Sequence, residues 1–227
     1  MTFEEFKQHF EIFAKIDTPE KLAICEKQYR QHLLLKEDSN FFEPSDAPTS
    51  DSSLIHNYTA NLHSIFGFNR INKDQILFLS QPSFEPEQLL TIEKFVDYYA
   101  LTHIVLEESY WTVYYRDKSI STARKKVSAG IMEKAVGDKV FGLIENSLIE
   151  ARKPQSPFAV LDGIVYKLSK MVNGKRRDVF KHSPDENSKT GRIIQLLEII
   201  IELTAINPTI DSQNEVERLI TLIQSEW

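Results

Sequence analysis

A chain of 227 residues, 41% hydrophobic and 26% charged, has apolar material for one large domain or two small ones and needs no disulfide or metal staple. Its single cysteine, Cys25, excludes an intramolecular disulfide and a cysteine-based zinc site within one chain. The formal net charge of −6 argues against a whole surface built for nucleic acid. The first ten residues carry acidic side chains and lead into no apolar h-region, and no apolar run has the length of a membrane span, so the expected setting is cytoplasmic and off the membrane.

Residues 2–35 read as two helices in a hairpin. Thr2 and Glu5 make a capping-box pair, and Phe3, Phe6, Phe10 and Phe13 then follow helical spacing as a core stripe. Asp17-Thr18-Pro19 ends the first helix and starts the second, with Thr18 as N-cap and Pro19 in the first turn. Residues 37–53, rich in Pro, Ser and acidic side chains, read as a polar linker, with Phe41 and Phe42 as anchors onto the body. This divides the chain into a helical hairpin over 1–36, a linker over 37–53 and a mixed domain over 54–227.

Within that domain the pattern predicts a short helix over 54–66 closed by Gly67, a buried strand over 75–80, and a helix from about Pro86 with Leu89, Ile92, Val96 and Tyr99 on one face. Residues 103–116 fit helix and strand periods alike, and the aromatic run Tyr110–Tyr115 favours strand. Residues 119–152 read as a long or kinked helix interrupted by Gly130, Gly137 and Gly142.

Asn173-Gly174 between alternating runs signals a two-residue type I′ hairpin over about 160–182. That turn sets Val172 opposite Lys175, Leu168 opposite Val179 and Tyr166 opposite Lys181. After Ser183-Pro184, Asn187 or Ser188 caps a helix that is apolar on most of its circumference from Ile193 to Leu203. Ser212 and Glu215 form another capping-box pair before a final amphipathic face of Val216, Leu219, Ile220, Ile223 and Trp227. The expected class is α+β: mainly helical, with a small antiparallel sheet that includes the hairpin.

Two resemblances rest on this C-terminal half. Asp162, Gly163, Tyr166, Ser183, Pro184, Ser188 and Gly191 resemble a recurrent hairpin, Ser-Pro and leucine-rich helix arrangement of uncharacterised bacterial proteins, across about residues 119–205. That resemblance implies a shared fold module and no known activity; His182 stands where the arrangement usually has an aromatic residue. Arg177-Asp178-Val179-Phe180-Lys181-His182 resembles the R-(N/D/H)-x-x-x-H motif of HEPN-type ribonucleases. There the resemblance implies that Arg177 would hold the scissile phosphate and His182 would move a proton, without a metal, across a dimer of all-helical domains. The family carries the motif on a helix, whereas the two flanking turns here bracket a strand.

The six histidines show no metal-ligand spacing, His56 and His63 being seven apart, so no metal or cofactor is expected. Ser188–Arg192 at a helix start reads as a cap rather than an anion site. Against the acidic background, Lys167, Lys170, Lys175, Arg176, Arg177 and Lys181, with Arg192 nearby, form a basic cluster opposed within the hairpin only by Asp178. Arg124-Lys125-Lys126 would extend it if the fold brought the segments together. The resulting expectation is a non-enzymatic bacterial interaction protein, immunity-like or adaptor-like, that docks an acidic protein surface through Lys170, Lys175, Arg176, Arg177, Lys181 and Arg192. Nucleic acid is expected only through the same hairpin. The alternative is a HEPN-like ribonuclease using Arg177 and His182.

Overall fold

Ile76, Leu77, Phe78 and Leu79 are four successive apolar residues, and a strand sends neighbouring side chains to opposite faces. Such a strand belongs in the middle of a sheet covered on both sides. That is where β2 (Gln75–Pro82) lies in the computed structural model, which describes residues 1–13, 15–45, 53–117, 123–155, 163–205 and 210–225. The other elements are α1 (Phe3–Phe13), α2 (Pro19–Asp38), β1 (Glu43–Pro44), α3 (Ser53–Phe66), β3 (Gln88–Lys94), β4 (Tyr98–Leu106), α4 (Tyr110–Asp117), β5 (Lys125–Glu133), α5 (Lys134–Ile149), β6 (Ile164–Val172), β7 (Lys175–His182), α6 (Lys189–Glu202) and α7 (Ile210–Ser225). Among the described residues seven strands form one antiparallel sheet in the order β1-β7-β6-β2-β3-β4-β5. The fold is therefore α+β. No described helix is long and apolar enough to cross a membrane.

Helices cover both faces of the sheet. Ile76 and Phe78 join Leu90, Ile92, Leu101, Leu168 and Val179 in a core closed by α5, α6 and α7. Leu77 and Leu79 join Leu89 and Leu106 in a second core closed by α3 and α4. The cover on that second side stops short of the β4–β5 end, where Val127 and Ile131 are 64% and 72% exposed.

The local signals hold. Thr2 N donates to Glu5 Oε2 at 2.7 Å and Glu5 N to Thr2 Oγ1 at 3.3 Å, a reciprocal cap. Thr18 caps α2 with Pro19 in its first turn, and Gly67 closes α3 at φ +70°. In the β6–β7 turn Asn173 and Gly174 have φ of 51° and 74°, and the register pairs Val172 with Lys175, Leu168 with Val179 and Tyr166 with Lys181 as expected.

The middle of the chain departs from expectation. The helix expected after Pro86 is the β3–β4 hairpin, because Leu89 and Leu90 are both buried, on opposite faces, and only a strand between two cores achieves that. Residues 103–116 divide: β4 ends at Leu106, and the aromatic run forms α4, not strand. The long helix over 119–152 is β5 followed by α5, with Gly130 in the strand, where a side chain would collide with the Leu203 carbonyl oxygen. Phe3, Phe6 and Phe10 of the α1 stripe are half-buried rather than core: Phe3 and Phe6 lie against Tyr29 of α2 at ring separations of 5.2 and 5.4 Å. Ser212 lies inside α7, not at its cap. Asp162 and Trp227 lie outside the described residues.

Of the expected linker, the part up to Ser45 is docked. Phe42 is 1% exposed, and Glu43 and Pro44 pair with Phe180 and Val179 at the free side of β7, a position where proline's missing N–H does no harm. Phe41 lies under the Arg152 guanidinium at 3.8 Å.

Candidate functional site

Strand alternation disperses the basic cluster. Lys170, Lys175, Arg177 and Lys181 point to the α5–α6 side of the hairpin, and Lys167 and Arg176 to the α3 side, as the cross-strand pairs require. Lys170 is buried, donating to Glu145 Oε2 at 2.8 Å and to the Met171 carbonyl at 3.3 Å. Lys181 is also buried, donating to Glu43 Oε1 at 3.0 Å and to the Asp38 carbonyl at 2.8 Å. These two lysines fasten α5 and the 38–44 strap to the sheet, which corrects their assignment to a docking surface. Lys175 and Arg177 remain exposed at the hairpin end, and Arg192 is half-buried on α6. Arg124, Lys125 and Lys126 sit at β5, five strand spacings or about 24 Å from β7, and do not extend the cluster.

Arg177 and His182 lie on one strand, five residues and roughly 17 Å apart, on opposite faces. His182 is pushed below its ordinary pKa by burial, and among the described residues its buried Nδ1 has no hydrogen-bond partner. Ser188 spends its hydroxyl on capping: Oγ accepts from Gly191 N at 3.0 Å and donates to the Asp185 carbonyl at 2.5 Å. The histidines stay apart. His103 is 2.9 Å from Gln88 Oε1 and the His56 side chain lies outside the described residues. Among the described residues no cluster of three His, Cys, Asp or Glu is placed to hold a metal ion.

The α3 side of the hairpin carries a polar cavity of about 370 Å³ that includes His63, Phe68, Asn69, Lys167, Arg176 and Asp178. The C-terminal end of α3 and the turn after Gly67 bring His63 and Phe68 over β6 and β7. The His63 ring stacks on Phe68 at 4.7 Å, and the Arg176 guanidinium lies 5.4 Å from the Phe68 ring. Arg176 Nε donates to both oxygens of Asp178 at 2.8 Å, and Ser169 donates to the same carboxylate. Lys167 has no such partner: among the described residues its ammonium lies 3.5 Å from His63 Nε2 and within ion-pair distance of no carboxylate. Burial lowers its pKa to about 8, with Asp178 only partly offsetting it. Burial first, then the charges of Lys167 and Arg176, lowers His63 to about 4, so its ring is neutral at pH 7.

The Lys167 ammonium therefore costs stability. Its folded pKa lies below the unfolded 10.5, so the unfolded chain binds the extra proton between about 8 and 10.5, and wild-type stability rises with pH across that window. Lys167→Met is expected to raise Tm at pH 7 and to abolish that rise. A lower Tm at pH 7 would mean that the ammonium is paired.

In the sequence Lys167 is one of several hairpin cations, and His63 stands 104 residues away with no local signal joining the two. Comparison of the chain with protein-family models, curated protein sequences and solved structures finds no match.

Proposed function

We propose that the chain is a non-enzymatic interaction protein, immunity-like or adaptor-like, that captures an acidic group of a partner protein on the α3 side of the β6–β7 hairpin. The observation that carries this reading is the Lys167 ammonium, which among the described residues has no ion-pair partner, in a cavity beside Arg176 and His63. A charge held there at a cost to the fold is explained by a ligand that repays it. Lys175 and Arg177, exposed on the opposite face of the hairpin and closer to its turn, supply long-range steering for an anionic partner. A cytoplasmic setting, an N-terminal helical hairpin over 1–36 and a separate domain over 54–227 belong to the same proposal. The ribonuclease alternative is disfavoured because residues 177–182 lie in the strand β7, whereas the family it resembles carries the motif on a helix.

The test uses a fluorescent decaglutamate peptide as probe. Wild type is expected to bind it at low salt and to release it at about 0.5 M salt, where screening reaches a few ångström. Lys175→Ala with Arg177→Ala is expected to weaken binding about tenfold, and Lys167→Met to weaken it further; Arg176 is left in place because Asp178 and Phe68 hold it. Binding that ignores all three changes overturns the proposal. So does RNA cleavage by the wild type that disappears in both Arg177→Ala and His182→Ala.

A further inference from the structure

β5 is the last strand of the sheet, and nine residues of its outer edge have no strand partner among the described residues. Native sheets protect such an edge with charge, proline, bulges or a covering segment. Here Lys125 and Lys126 guard one end, while the middle presents Val127 and Ile131, 64% and 72% exposed. Lys125, Val127, Ala129, Ile131 and Glu133 all point to the α3–α4 side of the sheet, which those helices leave open beyond Lys125, and all five are exposed. The opposite side of the same strand is covered, with Met132 4% exposed and Gly130 under the Leu203 carbonyl.

These five residues are complementary to their own reverse. In an antiparallel pair with i + j = 258, about a two-fold axis through Ala129, Lys125 faces Glu133 of the second copy, Val127 faces Ile131, Ala129 faces Ala129, and the pattern repeats by symmetry. Apolar meets apolar and positive meets negative at every position of the open face. Moving the axis one residue loses this. About Ser128, Lys125 would face Ile131; about Gly130, Val127 would face Glu133. Arg124 and Lys134, the next residues out, lie beyond the strand, and Lys134 is turned into α5 and ion-paired with Asp138 at 3.7 Å.

We infer that the chain forms a two-fold homodimer by antiparallel pairing of β5 with β5 about Ala129, giving one continuous sheet across two copies. A closed isologous contact of this kind uses the β5 edge of each copy, so pairing through β5 stops at two. The inference is independent of the hairpin reading, because β5 and β7 lie at opposite ends of the sheet.

Sedimentation of the full chain between about 1 and 100 μM tests it, with wild type expected to be dimeric at the upper end. Ala129→Lys puts two like charges against each other at the axis and is expected to raise the dimer Kd at least about tenfold; the residue is exposed, so the fold tolerates it. Lys125→Glu and Glu133→Lys are each expected to do the same, and the double exchange to return the Kd to within about threefold of wild type. Lys125 Nζ also donates to the Ile65 carbonyl, a bond the double exchange does not restore, so recovery reads the intermolecular pair alone. A wild type monomeric at 100 μM overturns the inference, as does a dimer indifferent to Ala129→Lys. Failure of the double exchange to recover, with Ala129→Lys disruptive, overturns the register.

Discussion

Gly191→Ala is expected to lower Tm by roughly 6–12 °C, corresponding to about 3 kcal/mol. In an isolated helix the change goes the other way, since alanine is the better helix former by about 1 kcal/mol. Gly191 stands in the first turn of α6, directly over the chain that enters the helix. A methyl group there would collide with the Asp185 carbonyl oxygen and lie 2.9 Å from the Glu186 Cα. Those are backbone atoms, and the Asp185 carbonyl is already fixed by donors from Ser188 N at 2.9 Å and Ser188 Oγ at 2.5 Å. Neither can withdraw without undoing the cap. Gly142→Ala is the control: Gly142 sits exposed within α5, nothing lies within 4 Å of its missing methyl, and the substitution is expected to gain up to about 1 kcal/mol. Two glycine-to-alanine changes in two helices should thus move Tm in opposite directions. Equal gains would show that the α6 entry yields.

The features legible in the sequence are those whose cause lies within a few residues. Asn173-Gly174 sets its own turn and so the register of β6 against β7. Thr2 with Glu5, Thr18 and Ser188 cap the helices they precede, and the all-round apolar pattern of α6 marks a helix packed under the sheet. The illegible features owe their conformation to distant partners. Lys125–Glu133 contains good helix formers, and β4 makes it a strand through nine paired positions. Tyr99 fits a helical stripe with Ile92 and Val96, yet Val96 is 81% exposed in the β3–β4 turn while Tyr99 is fully buried. The candidate site divides the same way. The number of cations in the hairpin is a sequence fact, but which of them are free is decided by Glu145 on α5 and Glu43 on β1, which neutralise Lys170 and Lys181. Lys167 is left over because the carboxylate facing that side, Asp178 on β7, is held by Arg176, and α3 offers it only the His63 ring.

The run Tyr110–Tyr115 shows the same dependence most sharply, because the group that makes it helical is a single buried carboxylate. Glu87, 0% exposed, sits between β2 and β3 and accepts from Tyr110 N at 2.7 Å, from the Trp111 backbone N–H and from the Tyr58 hydroxyl at 2.5 Å. The first two belong to the first turn of α4, which the helix's own carbonyls do not reach, and Ser109, the residue that by type would cap them, has its own Oγ buried with no hydrogen-bond partner among the described residues. Glu87→Ala removes the acceptor of three donors at once and is expected to cost roughly 3–4 kcal/mol. Tyr58→Phe removes only one of them and is expected to cost about 1 kcal/mol. Burial raises the Glu87 carboxyl above 4.5, and its hydrogen bonds, one from its own backbone N–H among them, offset this only in part. With the folded pKa above the unfolded one, the native state binds the proton more tightly, so this group's contribution to stability falls as pH rises from 4.5 through the folded value and is level beyond it. Glu87→Gln cannot titrate, and its amide presents N–H to a donor, so it is expected to be less stable than wild type throughout. Its deficit in Tm should shrink between pH 4.5 and pH 7, because only the wild type loses stability over that interval. A deficit that grows instead would mean that the carboxylate is held ionised by its donors, and that burial is the weaker of the two effects on Glu87.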